Sequence, residues 1–377
     1  MKRIYVATCL FGLEKLLGAE IEALGYKRLD TMDGRISFEG DESAVARANV
    51  NLRFAERVFI LIGKFPASSF TELFDNTKNL PWEEFIGRND AFPVKGHAIK
   101  STLFSLPDCQ SIVKKAVVSR LGEKYGIKWF SEDGVKLQIE FFIFKDIAHL
   151  MIDTSGVALH KRGYRPASGA APLRETLAAA VAATSRPRED VLLWDPFCGS
   201  GTIAIEAAMM MNNHAPGLGR SFAAEDFTDK SIWNDARTEA QDNIIKSDFE
   251  AWGSDIDTEV LEIARENARR AKVSGSIRFF EADARKLVRP DRRGTIVCNP
   301  PYGERLMEIS EVEKLYKEIG EVFRATSPWQ VYVLTSHEGF EKLYGKRADK
   351  IRKLYNGMIP CNLYQYFINQ KNGKKDR

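Results

Sequence analysis

A chain of 377 residues with 44% hydrophobic and 28% charged residues has the composition of a globular protein, with length for two or three domains. No stretch approaches about 18 uninterrupted apolar residues, so no transmembrane helix is expected; the opening Met1–Thr8 is too brief for a signal peptide and reads as a first strand. Five scattered cysteines (Cys9, Cys109, Cys198, Cys298, Cys361), none in a CxxC pair, argue against a disulfide framework and against a zinc site, and fit a reducing cytoplasm. The net charge of +3 is unevenly spread: Val94–Arg165 carries +5, Glu341–Arg377 carries +7, and the remainder −9. Two basic zones on an otherwise acidic chain suit a polyanionic partner, although solvated surface charge would give the same count.

In chain order, Arg3–Thr8 reads as a strand and Phe11–Leu24 as an amphipathic helix ended by Gly25. An Asp33-Gly34 turn leads into a further strand, a helix follows at about 41–52, and Arg57–Gly63 is a strand. This β-α-β-β-α-β rhythm predicts a ferredoxin-like domain over residues 1–65. Residues 66–158 repeat a mixed α/β texture, with a helix at Ser111–Tyr125 and strands at Val135–Phe144 and Ala148–Asp153. Lys114, Lys115, Arg120 and Lys124 share much of one face of that helix, as a nucleic-acid platform or as an ordinary wet side. A basic connector spans 159–172, including His160-Lys161-Arg162-Gly163-Tyr164-Arg165. After it come the Ala-rich helix Leu173–Thr184 and, from Val191, alternating strands and helices. These predict an α/β domain over 173–377 with a mainly parallel sheet. The basic end Lys371–Arg377 is expected to fray.

Within that last domain two motifs carry chemistry. The strand Val191–Trp194 runs into Asp195-Pro196-Phe197-Cys198-Gly199-Ser200-Gly201-Thr202 and then a helix. Strand, glycine turn and helix form a nucleotide-cofactor arrangement, since glycine lets backbone approach a ligand where a Cβ would clash. A nicotinamide dinucleotide fold would place an acidic residue about 20 positions later. Here the candidate, Asp255, follows the next strand only after a long insertion, 211–251, that carries Arg220 and Trp233. A carboxylate at a second strand end can accept from both hydroxyls of a ribose. A third strand delivers Asp283-Ala284. The fourth, Gly294–Cys298, stops abruptly at Asn299-Pro300-Pro301-Tyr302. An amide oxygen, a carbonyl beside proline and an aromatic face can grip a planar base by its exocyclic amine. An ordinary Pro-Pro turn would read the same way in isolation. Four successive strands ending in ligand-ready polar groups, at the edge where open α/β sheets bind ligands, favour the site.

The carboxyl half resembles class I S-adenosylmethionine-dependent methyltransferases: Asp195–Thr202 matches their glycine loop and Asn299–Tyr302 their amino-methylating signature. Together with Ser101–Gln110 and His160–Arg165, residues 1 to about 370 resemble the bacterial THUMP-domain methyltransferases, which act on N2 of guanine in 23S ribosomal RNA. The resemblance implies a Rossmann-like methyltransferase domain behind a ferredoxin-like and a THUMP region, with S-adenosylmethionine as cofactor. It implies RNA as partner, 23S rRNA or a large-subunit precursor particle, with no membrane and no metal. The chain is about half the length of the fused two-methyltransferase enterobacterial relative, so a single activity is expected. By this resemblance Asp195, Phe197, Cys198, Gly199, Ser200, Gly201 and Thr202 bind the cofactor, Gly199 and Gly201 cradling its methionine part and ribose and Asp195 facing its amine. Asp255 then holds the ribose, Ile256 packs on the adenine, and Asp283 with Ala284 meets the adenine edge. Asn299, Pro300 and Tyr302 are the catalytic set, Tyr302 offering its ring. Pro301, Lys100, Lys114, Lys115 and Arg120 are the expected RNA contacts. Three rivals stay open: an adenine-N6 or cytosine-N4 amino-methyltransferase of DNA or RNA, a nicotinamide oxidoreductase, and a non-catalytic RNA-binding protein.

Overall fold

The computed structural model describes residues 2–166, 173–302 and 308–367; residues 167–172 of the expected connector and the basic tail Lys371–Arg377 lie outside the described residues. Two compact units result: Met1–Cys9, Leu17–Leu159 and Arg220–Glu239 make the first, and Leu10–Leu16, His160–Gly219 and Ala240–Arg377 the second.

The chain begins β1 (Arg3–Thr8), α1 (Glu14–Ala23), β2 (Lys27–Met32), β3 (Arg35–Gly40), α2 (Ala44–Asn51) and β4 (Arg57–Pro66). Alternate residues of β3 (Ile36, Phe38, Gly40) are buried, as a strand with one covered face requires. The antiparallel order β2-β3-β1-β4 is the expected ferredoxin-like arrangement. Next come α3 (Phe70–Lys78), β5 (Val94–Ile99), α4 (Leu106–Tyr125), β6 (Ile139–Phe144) and β7 (Ile147–Asp153). Helix α4 starts five residues before the expected Ser111, with Pro107 in its first turn, where proline needs no N–H partner. Its Val113, Val117 and Leu121 pack with Trp82, Phe92 and Phe141 in one core. On both sides of a bulge at Leu61/Gly63, β4 pairs antiparallel with β7. All seven strands therefore share one sheet, β2-β3-β1-β4-β7-β6-β5. The domain line drawn at residue 65 falls inside a strand.

The remaining elements are α5 (Glu175–Ser185), β8 (Leu192–Asp195), α6 (Thr202–Met211), α7 (Lys230–Asp242), β9 (Ala251–Asp255), α8 (Thr258–Arg270), β10 (Ile277–Glu281), β11 (Gly294–Cys298), α9 (Ile309–Ala325), β12 (Gln330–Thr335), α10 (Phe340–Tyr344), β13 (Lys350–Asn356) and β14 (Ile359–Tyr366). The middle part of the expected insertion, Arg220–Glu239, folds as part of the first unit. There Trp233 stacks on Phe222 at 5.2 Å, Phe227 packs on the first unit's core, and Arg47 forms a two-pronged pair with Glu239. In the second unit β10, β9, β8, β11 and β12 are parallel, and β14 runs antiparallel between β12 and β13. Strand order reverses between β8 and β11, the switch point beside which such sheets bind ligands at their carboxyl ends. Asp195 closes β8, and Asn299 immediately follows β11.

Candidate active site

Asp195 is 1% exposed, and its Oδ1 accepts the Phe197 N–H at 3.1 Å. Burial pushes its carboxyl up to about 8; the Phe197 N–H opposes that shift and the Asp255 charge adds to it. At the end of β9, Asp255 accepts the Gly199 N–H on Oδ2 at 2.9 Å and the Asp257 N–H on Oδ1 at 3.2 Å. The loop is fastened further by Cys198 N–H to the Ser254 carbonyl (3.0 Å) and by Asn267 Nδ2 to the Ser200 carbonyl (3.0 Å). Gly199 has φ +49°, and a Cβ built there would meet nothing within 4 Å, so its backbone borders open space. Gly201, at φ +81°, starts α6, and a Cβ there would lie 2.9 Å from the Phe279 ring. The two glycines expected to cradle a ligand thus differ: Gly199 faces free space, whereas Gly201 permits close packing.

The other expected cofactor residues divide in the same way. Ile256 is 67% exposed, a free apolar surface beside Asp255. Cys198 is buried, and burial pushes its thiol pKa well up. Phe197 packs on the core cluster of the second unit, as does Ala284, which leaves Ala284 only its backbone to offer a ligand. Thr202 is engaged within the chain: it is buried, its hydroxyl accepts from Arg165 Nη1 at 3.0 Å, and Ser200 Oγ lies 3.3 Å away. Asp283 is engaged likewise. Its carboxylate receives the Arg285 N–H at 2.9 Å and the Arg285 guanidinium at 2.8 Å on each oxygen, and these bonds hold its pKa down. Little acceptor capacity is left for an adenine amine.

Asn299-Pro300-Pro301-Tyr302 forms a hydrogen-bonded cup. The Tyr302 hydroxyl donates to Asn299 Oδ1 at 2.8 Å, and the Asn356 side chain lies near that hydroxyl. Burial pushes the Tyr302 phenol up to about 12. The expectation that Tyr302 offers only its ring is therefore corrected, because its hydroxyl orients the amide. Buried Tyr316 donates to the Pro301 carbonyl at 2.7 Å and lies 2.8 Å from Thr335 Oγ1, so the Pro301 carbonyl is engaged within the fold. Among the described residues no hydrogen bond reaches the Pro300 carbonyl. Asn299 Oδ1 retains a lone pair. These two oxygens are the acceptors a planar amine would meet.

Of the cations expected to meet a polyanion, Lys114 and Arg120 are tied within the first unit. Lys114 pairs with Glu132, donates to the Phe92 carbonyl at 3.1 Å and sits 3.6 Å from the Phe92 ring centroid. Arg120 Nε donates to Glu83 at 2.9 Å, a contact that lowers the Glu83 pKa. Lys100, Lys115 and Lys124 are exposed. Lys100 has φ +50°, a conformation that L-residues rarely adopt.

Behind the glycine loop lies a buried polar network given no structural role from sequence. Arg165 pairs with Glu175 at 3.1 Å and donates to Thr202; Tyr164 donates to Glu206 at 3.2 Å, and Arg162 approaches the same carboxylate at 3.5 Å. Asn267, Asn356 and Tyr316 were also missed. Their only trace in the sequence is residue type, because distant elements bring them to the site.

An RMKL-like methyltransferase domain matches residues 162–365, an RlmL ferredoxin-like domain residues 5–59, and a THUMP domain residues 67–153. The chain belongs to the RMKL-like methyltransferase family. It is 44% identical to YpsC of Bacillus subtilis (strain 168), named as a candidate RNA methyltransferase, over 97% of this chain and 96% of that one. It is 34% identical to the ribosomal RNA large subunit methyltransferase K/L of Psychromonas ingrahamii over 96% of this chain, and spans about half (49%) of that longer relative. Among solved structures, a protein from Listeria monocytogenes, named a predicted N6-adenine-specific DNA methylase, has a TM-score of 0.90 at 46% identity over 97% of this chain and 96% of its own. SMU.472, a candidate methyltransferase complexed with SAH, has a TM-score of 0.88 at 37% identity over 100% of this chain and 99% of its own.

The methyltransferase domain uses S-adenosylmethionine, and its residues fit that cofactor. Asp195 is a buried carboxylate with a single N–H partner and no protein cation beside it among the described residues. A ligand bearing an ammonium group would supply the missing charge. Asp255 keeps acceptor capacity beyond its two N–H bonds, and the space before Gly199 is open.

Proposed function

We propose that this chain methylates the exocyclic N2 amine of a guanine in RNA, 23S rRNA or its precursor particle, in the cytoplasm. The observation that carries the reading is the pair of acceptors, Asn299 Oδ1 and the Pro300 carbonyl, immediately after β11. They stand across the switch point from the Asp195–Gly199 loop and Asp255. The THUMP domain, the basic zones of the sequence and the names of the Bacillus and Psychromonas relatives support RNA as substrate.

The cofactor supplies an electrophilic methyl group, so the chain's task is alignment. Asp195 would hold the ammonium, Asp255 the ribose hydroxyls, and Ile256 the adenine face. The amine of guanine is a weak nucleophile because its lone pair is delocalised into the ring. Asn299 and Pro300 accept its two N–H bonds and turn that lone pair toward the methyl group. The same acceptors stabilise the positive charge that develops on nitrogen until a proton leaves. Tyr302 fixes the amide through its hydroxyl and lends its ring to an extruded base.

Labelled S-adenosylmethionine and unmodified 23S rRNA transcript, followed by nucleoside mass spectrometry, test the reading. N2-methylguanosine is expected. N6-methyladenosine, or transfer to duplex DNA alone, would instead support the second reading, toward which the name of the Listeria protein points.

A further inference from the structure

The hairpin formed by β13 and β14 stands at the ligand edge of the second sheet. Thr335, the last residue of β12, pairs with Asn362 of β14, so Ile359–Cys361 run beyond the end of β12. Asn356 and Ile359 pair across a two-residue turn, Gly357-Met358, in which Gly357 has φ +66°. This overhang lies beside the cup: the Asn356 and Cys361 side chains are both close enough to the Tyr302 hydroxyl to act on it. The stem is braced on the same unit, with Tyr355 edge-on to Phe11 at 5.8 Å and Arg352 donating to the Gly12 carbonyl at 2.6 Å. A braced hairpin then presents Met358 at 95% exposure, the highest value among the exposed large apolar residues. Behind it, Lys350 and Lys353 of the sheet's edge strand are exposed, as are Lys346 and Arg347 just before that strand.

Leaving a large apolar side chain in water at a rigid tip gains nothing for folding. It suits a wedge, since unbranched methionine adapts its shape to irregular surfaces. A base bound in the cup must leave its stack, and proteins that distort nucleic acids fill such gaps with apolar side chains, methionine among them. We infer that Met358 occupies the gap left in a folded RNA by the extruded target base, while Lys353, on the same strand, meets the RNA backbone. This inference rests on the RNA reading above and makes Met358 a positioning residue, with no part in the chemistry.

The test uses the full-length protein and unmodified 23S rRNA transcript, folded with Mg2+ or kept unfolded without it. Single-turnover methyl transfer is followed at saturating cofactor for the wild type, Met358→Ala and Met358→Leu. Met358→Ala is expected to slow transfer to folded RNA roughly tenfold and to change transfer to unfolded RNA less than twofold. Met358→Leu should restore most of the rate, and calorimetric affinity for S-adenosylmethionine should be the same in all three. Equal rates for wild type and Met358→Ala on folded RNA, or equal losses on both forms, would overturn the wedge and leave the RNA reading standing. A wild type that methylates neither form would remove the RNA reading and the wedge with it.

Discussion

Replacing Asp195 with Asn isolates the charge that awaits a cationic partner in the cofactor pocket. Without a ligand the carboxyl is protonated below about 8, because burial disfavours its charged form. An ammonium ligand binds the ionised form, so binding at lower pH must first expel a proton. If the bound carboxylate titrates below pH 6, affinity falls about tenfold per unit below pH 8, or about a hundredfold by pH 6. The ligand's own amino group loses its proton at about 8, so affinity also declines at higher pH and peaks near there. S-adenosylhomocysteine, which carries the same amine, serves as the calorimetric probe between pH 6 and 9, in buffers of different ionisation enthalpy that count the released proton. Asp195→Asn should abolish the acid-side slope and the proton release. At pH 8 it should weaken binding by about 1.5–3 kcal/mol, the range for a hydrogen bond to a charged group. Stability of the ligand-free protein obeys the same linkage. The folded pKa lies above the unfolded one, so the folded state binds more protons between about 4 and 8, and stability declines as pH rises through that window. A wild-type affinity flat from pH 6 to 8, or an Asn variant with an unchanged slope, would refute the role given to Asp195.

Tyr302→Phe removes the donor to Asn299 and keeps the ring; a neutral hydrogen bond is worth about 0.5–1.5 kcal/mol, so kcat should fall about 2- to 12-fold with cofactor affinity unchanged. Arg165→Met strands the buried Glu175 carboxylate and should cost about 3–5 kcal/mol in denaturant unfolding, far more than an exposed Arg265→Met. For RNA capture, neutralising Lys100, Lys115 and Lys124 should flatten the salt dependence of binding by about 0.7–0.9 for each phosphate no longer neutralised. Neutralising Lys114 and Arg120 should lower the melting temperature instead and leave that slope nearly unchanged.

What could be read from the sequence follows from how local each feature is. Asp195, Gly199, Asp255 and Asn299 stand out because strand, turn and residue type occur within a few positions of one another. The ferredoxin-like order β2-β3-β1-β4 was legible for the same reason. Lys114 and Arg120 looked available because their partners, Glu132 and Glu83, come from other segments. Thr202 looked ligand-ready because nothing local announces that Arg165, 37 residues earlier, takes its hydroxyl. Asn356 reaches Tyr302 only because β14 inserts between β12 and β13, a sheet order that no local pattern encodes. The insertion 211–251 gave no sign of its destination, since the Trp233–Phe222 stack and the Arg47–Glu239 pair exist only once the first unit has folded.

The most direct test of the proposed chemistry is the single-turnover rate of Asn299→Ala on unmodified 23S rRNA transcript at saturating S-adenosylmethionine, with cofactor affinity and melting temperature measured on the same preparation. Removing an acceptor that matters most as charge develops on nitrogen should slow transfer about 10²–10³-fold while cofactor binding and melting stay near wild type. Methylation by Asn299→Ala at the wild-type rate would contradict the assignment of Asn299-Pro300-Pro301-Tyr302 as the site of amine methylation.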